Sequence, residues 1–263
     1  MWSTHSAVAA EKGLHRLKPV PPCIAMIRTV MASVPARAGS IGSVPSIGFF
    51  GSTIGKKAVM AISGVVLFGF VAAHLLGNLQ IFLGPDQFNG YARSLRHLPL
   101  LVWTVRVVLL VMVALHIWSS LQLAVTKSEA RPIGYVRSNS AGSAYASRTM
   151  YMSGPIVAAF VVYHLMQFTF GVGGTAFERF DAYGNVINGF RVPVVSGFYV
   201  LAIGLLCLHL RHGLWSMFQT LGFHHERYLR RLKTAAAIIA LAIFLGFISI
   251  PIAVVFRIIP EIV

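Results

Sequence analysis

Polar and apolar residues are segregated along this chain. Five long runs are almost wholly apolar: 58–83, 98–125, 149–171, 192–221 and 234–256. A helix needs roughly 20 mostly apolar residues to cross ~30 Å of hydrocarbon, so the pattern predicts five membrane-spanning helices. Only Arg106 and Arg211 bring formal charge into the runs, and no Asp or Glu falls inside any of them. The expected fold class is therefore an all-α integral membrane bundle.

Composition agrees with this reading. Charged residues make up 11 % of the 263 positions and apolar ones 56 %, whereas a soluble domain is about one quarter charged. Mean hydropathy is +0.74. A net charge of +15 would suit nucleic acid if basic side chains clustered on a soluble surface. Here they flank the apolar runs instead, which is a membrane pattern. Cys23 and Cys207 lie far apart, the second inside a run, so no disulfide framework is expected.

Basic residues orient membrane helices, because Lys and Arg are retained on the cytoplasmic side. Seven precede the first run (Lys12, Arg16, Lys18, Arg28, Arg37, Lys56, Lys57), four follow the second (Lys127, Arg131, Arg137, Arg148), and four follow the fourth (Arg227, Arg230, Arg231, Lys233). The opposite side holds five: Arg93, Arg96, Arg179, Arg191 and Arg257. The N-terminus is expected in the cytoplasm and the C-terminus outside, in a cell inner membrane.

Residues 1–50 contain five prolines among scattered Ser, Ala and Gly. They read as a basic disordered tail or as an over-called start, with Met26 or Met31 as the initiator. Their short apolar stretch, soon followed by Arg28, does not make a secretory signal. Residues 51–258 form the expected membrane domain and 259–263 a short outer end. The Ser/Gly/Ala-rich loop 127–148 faces the side where a soluble partner would dock. The loop 172–190, with Asp181-Ala182-Tyr183-Gly184-Asn185, is expected to turn and cap the far surface.

The chemistry lies in the histidines. Of ten, four lie deep in the spans, one on each of the first four helices: His74, His116, His164 and His209. A helix rises ~1.5 Å per residue, so His74, ten residues before Gly84, and His164, nine before Gly173, sit ~14–15 Å from the outer end. His116, 19 residues after His97, and His209, 18 after Arg191, sit ~27–28 Å from it. Two layers result, separated by ~13 Å. Two imidazoles per layer from different helices are what two stacked bis-histidine haems require. Zinc or copper would need three or four clustered ligands. The competing reading is interhelical hydrogen bonding by structural histidines.

An internal echo accompanies the layers. Ser63-Gly64 ends ten residues before His74, and Ser153-Gly154 ends ten before His164. Each glycine thus reaches the depth of the other layer, where a missing side chain admits a flat macrocycle; small-residue helix packing explains the glycines equally well. His212, three residues after His209, is an alternative ligand without an evident partner on helix two. Arg211 and His212 suit haem propionates or a quinone near the inner surface, and Arg106 suits propionates of the outer haem. His97, His224 and His225 are in loops, and His5 and His15 in the tail.

The segments HLLGNLQIFLGPDQFNGYARSLR from His74, ALHIW from Ala114, SGPIVAAFVVYHLM from Ser153 and HLRHGLWSMFQTLG from His209 resemble the cytochrome b558 membrane anchors of succinate dehydrogenase and fumarate reductase. The type resembled is the single-subunit, five-helix, dihaem one. The likeness covers about residues 50–258. It implies two haem b groups, with His74 paired to His164 and His116 to His209, and the fourth ligand at His209, four residues before Gly213-Leu214-Trp215. It also implies a flavoprotein and an iron–sulfur subunit on the cytoplasmic face, and electrons passing from succinate by the inner and then the outer haem to a membrane quinone, menaquinone foremost. Some fumarate-reducing relatives carry a Glu two residues before the fourth ligand; Cys207 stands there in this chain, which favours succinate oxidation. Two rivals are the dihaem anchor of a different quinone oxidoreductase and a five-helix transporter with structural or proton-relay histidines. The first would place two histidines on each of two helices, and the second would favour intramembrane carboxylates.

Overall fold

Serine, glycine and proline open several of the helices in the computed structural model, which describes residues 48–129, 141–222 and 225–259, with backbone alone at 141–149, 151 and 226. The chain divides into two units, Met1–Ser46 and Ile47–Val263. The first lies outside the described residues, and with it nearly all of the expected tail, including His5, His15, Cys23, Met26 and Met31. His224 and 260–263 lie outside them too.

Helix α1, Thr53–Leu79, starts where the Ser52 hydroxyl accepts the Gly55 N–H at 3.0 Å, satisfying a donor that the first turn leaves free. A 3-10 turn, Gln80–Leu83, extends it. At Gly84 the backbone takes φ +98°, which suits a residue without Cβ. Pro85 then opens α2, Pro85–Arg96, where its fixed φ and missing N–H fit a first helical position. Helix α3 spans Pro99–Glu129 and α4 Ala141–Phe168. Short α5, Ala182–Phe190, is followed by α6, Pro193–Thr220, and α7, Glu226–Val255.

Two details differ from the hydropathy reading. The segment Asp181–Asn185 is no turn: the Asp181 carboxylate accepts the Gly184 N–H at 2.9 Å and caps α5. Asp so placed both fills an orphan donor and faces the positive helix end. The loop expected over 127–148 is helical wherever it is described, as the end of α3 and the start of α4. Charge and small residues lowered the hydropathy of 127–129 and 141–148 although these described residues are helical.

Among the described residues four stretches are long and apolar enough to cross a membrane: Thr53–Leu83, Pro99–Glu129, Pro193–Thr220 and Arg227–Val255. The apolar described part of α4, Met152–Phe168, is shorter. Four of the five expected spans are thus met. The helices bury little of their apolar surface in one another. Leu100, Leu110 and Leu121 of α3 stand more than half exposed, and so extended an apolar surface fits hydrocarbon and not water.

Helix α1 packs along α3, α4 along α6, and α6 along α7. By contrast α1 and α4 make little close backbone contact, as do α3 and α6. The first four spans therefore form two helix pairs, α1/α3 and α4/α6, facing each other across a seam, while α7 packs on α6 and also meets α1, and α1 touches α6. A buried cluster lies at the end where α2 and α5 sit, with Ile81, Phe88, Tyr183, Phe190 and Tyr199 all buried. Asn89 of α2 ties that end together: its amide donates to Asp181 Oδ1 at 2.9 Å and accepts the Tyr183 N–H at 3.0 Å.

Candidate functional site: two facing imidazole pairs

The four span histidines meet across the seam as two pairs. His74 of α1 faces His164 of α4 with ring centres 5.8 Å apart and planes at 87°. His116 of α3 faces His209 of α6 at 6.2 Å and 56°. Both separations suit one metal ion between two rings. Metal–imidazole bonds are about 2 Å long, and about 1 Å further leads to each ring centre, so trans ligands stand about 6 Å apart. Among the described residues no three His, Cys, Asp or Glu side chains gather. Two imidazoles without further protein ligands would fit a metal that a macrocycle brings with it.

Hydrogen bonds fix how the rings present themselves. The Ser63 hydroxyl donates to Val59 O at 2.7 Å and lies 3.1 Å from His116 Nδ1. A hydroxyl has one proton to give, so toward His116 it accepts: Nδ1 carries the hydrogen and Nε2 keeps its lone pair for a metal. The Ser153 hydroxyl lies 3.3 Å from His209 Nδ1. His164 Nδ1 lies 3.3 Å from Tyr199 Oη, which donates to Gln167 Oε1 at 2.9 Å. The remaining ring, His74, stacks on Phe70 at 5.3 Å and 19°, with Phe247 at 6.2 Å.

The serines explain the internal echo. Ser63 precedes His74 by eleven residues, and Ser153 precedes His164 by the same interval. Eleven residues are about three helical turns, so each serine shares a face with the histidine of its own helix. Helix α1 thus offers His74 to one pair and Ser63 to the other, and α4 does likewise with His164 and Ser153. The two glycines differ from each other. A Cβ on Gly64 would lie 3.5 Å from His116 Cε1, whereas one on Gly154 would meet no atom within 4 Å.

The other candidates lie apart from the rings. Arg106 is exposed, its guanidinium 5.2 Å from the Trp103 ring centre. Arg211 is two residues, about 200° of helix, from His209. It is exposed and lines an open groove of about 600 Å³ between α6 and α7, together with Cys207, Ala240 and Phe244. His212 meets Trp215 edge-on at 5.0 Å, and its buried Nδ1 has no partner among the described residues. Lys233 of α7 covers the same indole at 4.8 Å. Tyr199 and Gln167 escaped the sequence reading. The available signal was a side-chain amide three residues after His164, a costly group inside an apolar run.

Fold and site together define an all-helical integral membrane protein with two imidazole pairs at its seam. The chain is similar to the succinate dehydrogenase cytochrome b558 subunit of Bacillus subtilis (strain 168), being 23 % identical over 185 residues, which is 70 % of this chain and 87 % of that protein. No family model matches the chain, and no solved structure matches it. The resemblance seen in the histidine segments is thus to the same kind of subunit as this relative.

Proposed function

We propose that this chain is the dihaem membrane anchor of a succinate:quinone oxidoreductase, a five-span cytochrome b. The observation that carries the proposal is the pair of imidazole separations, 5.8 and 6.2 Å, on helices that otherwise scarcely touch. His74 and His164 would hold the outer haem b, and His116 and His209 the inner one. Bound there, each haem supplies a reversible one-electron couple.

The chain's own residues do the rest. Ser63 and Tyr199 keep Nδ1 protonated on His116 and His164, leaving Nε2 free to bind iron, and Ser153 holds the His209 ring by its hydroxyl. Gly154 leaves room at the seam for a flat ring, and Gly64 lies beside the His116 imidazole. Phe70, Phe160, Phe168 and Phe247 surround the His74/His164 pair and keep water away. Arg106 on the outer side, and Arg211 and His212 on the inner side, are the polar groups available to propionates or to a quinone, menaquinone foremost. The basic cytoplasmic segments orient the chain with its N-terminus inside and face a flavoprotein and an iron–sulfur partner, on which the succinate chemistry lies.

The test is a reduced-minus-oxidised spectrum of the purified chain, followed by haem quantification in single His→Ala variants. We expect haem b absorption and two components. His74→Ala and His164→Ala should remove one component, and His116→Ala and His209→Ala the other. A chain without haem b absorption refutes the reading. Loss of the same component from His74→Ala and His209→Ala refutes the pairing.

A further inference from the structure

The hydrogen bonds at the two pairs are not alike. His116 and His209 meet aliphatic hydroxyls, whereas His164 meets a phenol whose own proton is committed elsewhere. Tyr199 donates to Gln167 Oε1, so its oxygen can only accept toward His164 Nδ1. Tyr199 is 3 % exposed and Gln167 2 %. The Gln167 Nε2 is buried with no partner among the described residues. An unmet buried donor costs roughly 1–3 kcal/mol, and a Leu or Met of similar size would avoid it. The amide lies close against α5, where a Cβ on Gly189 would stand 2.8 Å from Nε2.

A group kept at such a cost needs a reason, and the geometry supplies one. The amide oxygen draws the phenolic proton, and an O–H that donates becomes a better acceptor at its oxygen. The phenol oxygen then draws on the His164 N–H. An imidazole whose N–H is drawn away has a more basic Nε2, which binds the higher oxidation state of a metal more strongly.

Resting on the haem reading above, we infer that Tyr199 and Gln167 are positioning residues of the His74/His164 site: they act through His164 to hold down the reduction potential of the haem bound there. The second pair lacks such a chain and is set independently by Ser63 and Ser153.

The experiment is a redox titration of haem b absorption in membranes carrying the full chain with its native partners. It compares wild type with Tyr199→Phe, Gln167→Met and Ser63→Ala. Tyr199→Phe keeps the ring and its volume, so a packing role alone would leave both potentials unmoved. We expect it to favour reduction of one component about tenfold, which is ~59 mV for a one-electron couple. Gln167→Met should raise the same component by less, and Ser63→Ala should shift the other one. The inference is overturned if Tyr199→Phe leaves both components at wild-type potential, or moves the component that Ser63→Ala moves. Should Tyr199→Phe fail to incorporate haem, Gln167→Met decides alone: both components at wild-type potential overturns the inference. A wild-type chain without titratable haem b removes the haem reading itself, and this inference with it.

Discussion

Ser63→Ala tests the orientation of the His116/His209 pair by removing one atom. Ser63 is 1 % exposed, and its hydroxyl is the acceptor for His116 Nδ1–H at 3.1 Å. Its own donation goes to Val59 O, four residues back in the same helix, a carbonyl that the backbone ladder already serves. The imidazole N–H then loses this acceptor and keeps the Met60 backbone carbonyl beside it. One net hydrogen bond is worth roughly 0.5–1.5 kcal/mol. Without that tether the ring has to be ordered when haem binds, so the cost falls on binding. At 1.4 kcal/mol per factor of ten, the haem of this pair should bind about 2- to 12-fold more weakly. Haem-to-protein ratio by pyridine haemochrome, measured through a dilution or competition series, reads that loss directly. The component lost first should be the one that His116→Ala abolishes. If Ser63→Ala keeps both haems through the series with wild-type affinity, the hydroxyl does not orient His116 and the tautomer argument fails.

Three further expectations concern other parts of the molecule. Ser153→Ala should weaken the same haem as Ser63→Ala but by less, because its contact with His209 is longer at 3.3 Å; an effect confined to the other haem would contradict the shared site. Asn89→Leu deletes two hydrogen bonds, one to the Asp181 carboxylate, worth together about 2–4 kcal/mol. The melting temperature in detergent should fall by about 5–15 °C, and an unchanged value would mean that the α2–α5 tie adds nothing. Gly77→Ala forces a Cβ to 2.8 Å from the Tyr91 hydroxyl and should destabilise by about 1–3 kcal/mol. Gly90→Ala meets no atom within 4 Å and should stabilise α2 by about 0.5–1 kcal/mol; equal melting points for the two variants would refute the packing argument.

Much of this was legible in one dimension, and for a physical reason. A helix can cross hydrocarbon only if it is long and apolar, so the spans stand out without any tertiary information. The positions of His74, His116, His164 and His209 along straight helices convert residue counts into depth. What depth cannot give is azimuth. Arg211 and His209 lie close along α6 but point to opposite sides, and only the packing of α7 reveals the groove that Arg211 lines. The role of Ser63 was hidden similarly: Ser63-Gly64 stood out as a repeat, but its hydroxyl acts on a ring of α3. Helix α2 was missed because it is short and polar, and α5 because it is short and punctuated by Gly and Asn; the Asp181 cap starts α5, and the Asn89 bonds tie the two together. Tyr199 and Gln167 look ordinary in sequence; they became visible through their joint burial beside His164.

The eleven-residue interval between Ser63 and His74, repeated from Ser153 to His164, turns α1 and α4 into rulers. One rigid rod sets the height and the heading of a group at each of two sites. An insertion or deletion of one residue between the marks would swing one group by about 100° relative to the other, so that no rotation of the helix could restore both. The sites are therefore geared together: length changes within these two intervals are forbidden while side chains around them remain free to vary, and a twist of either helix is felt at both depths of the membrane at once.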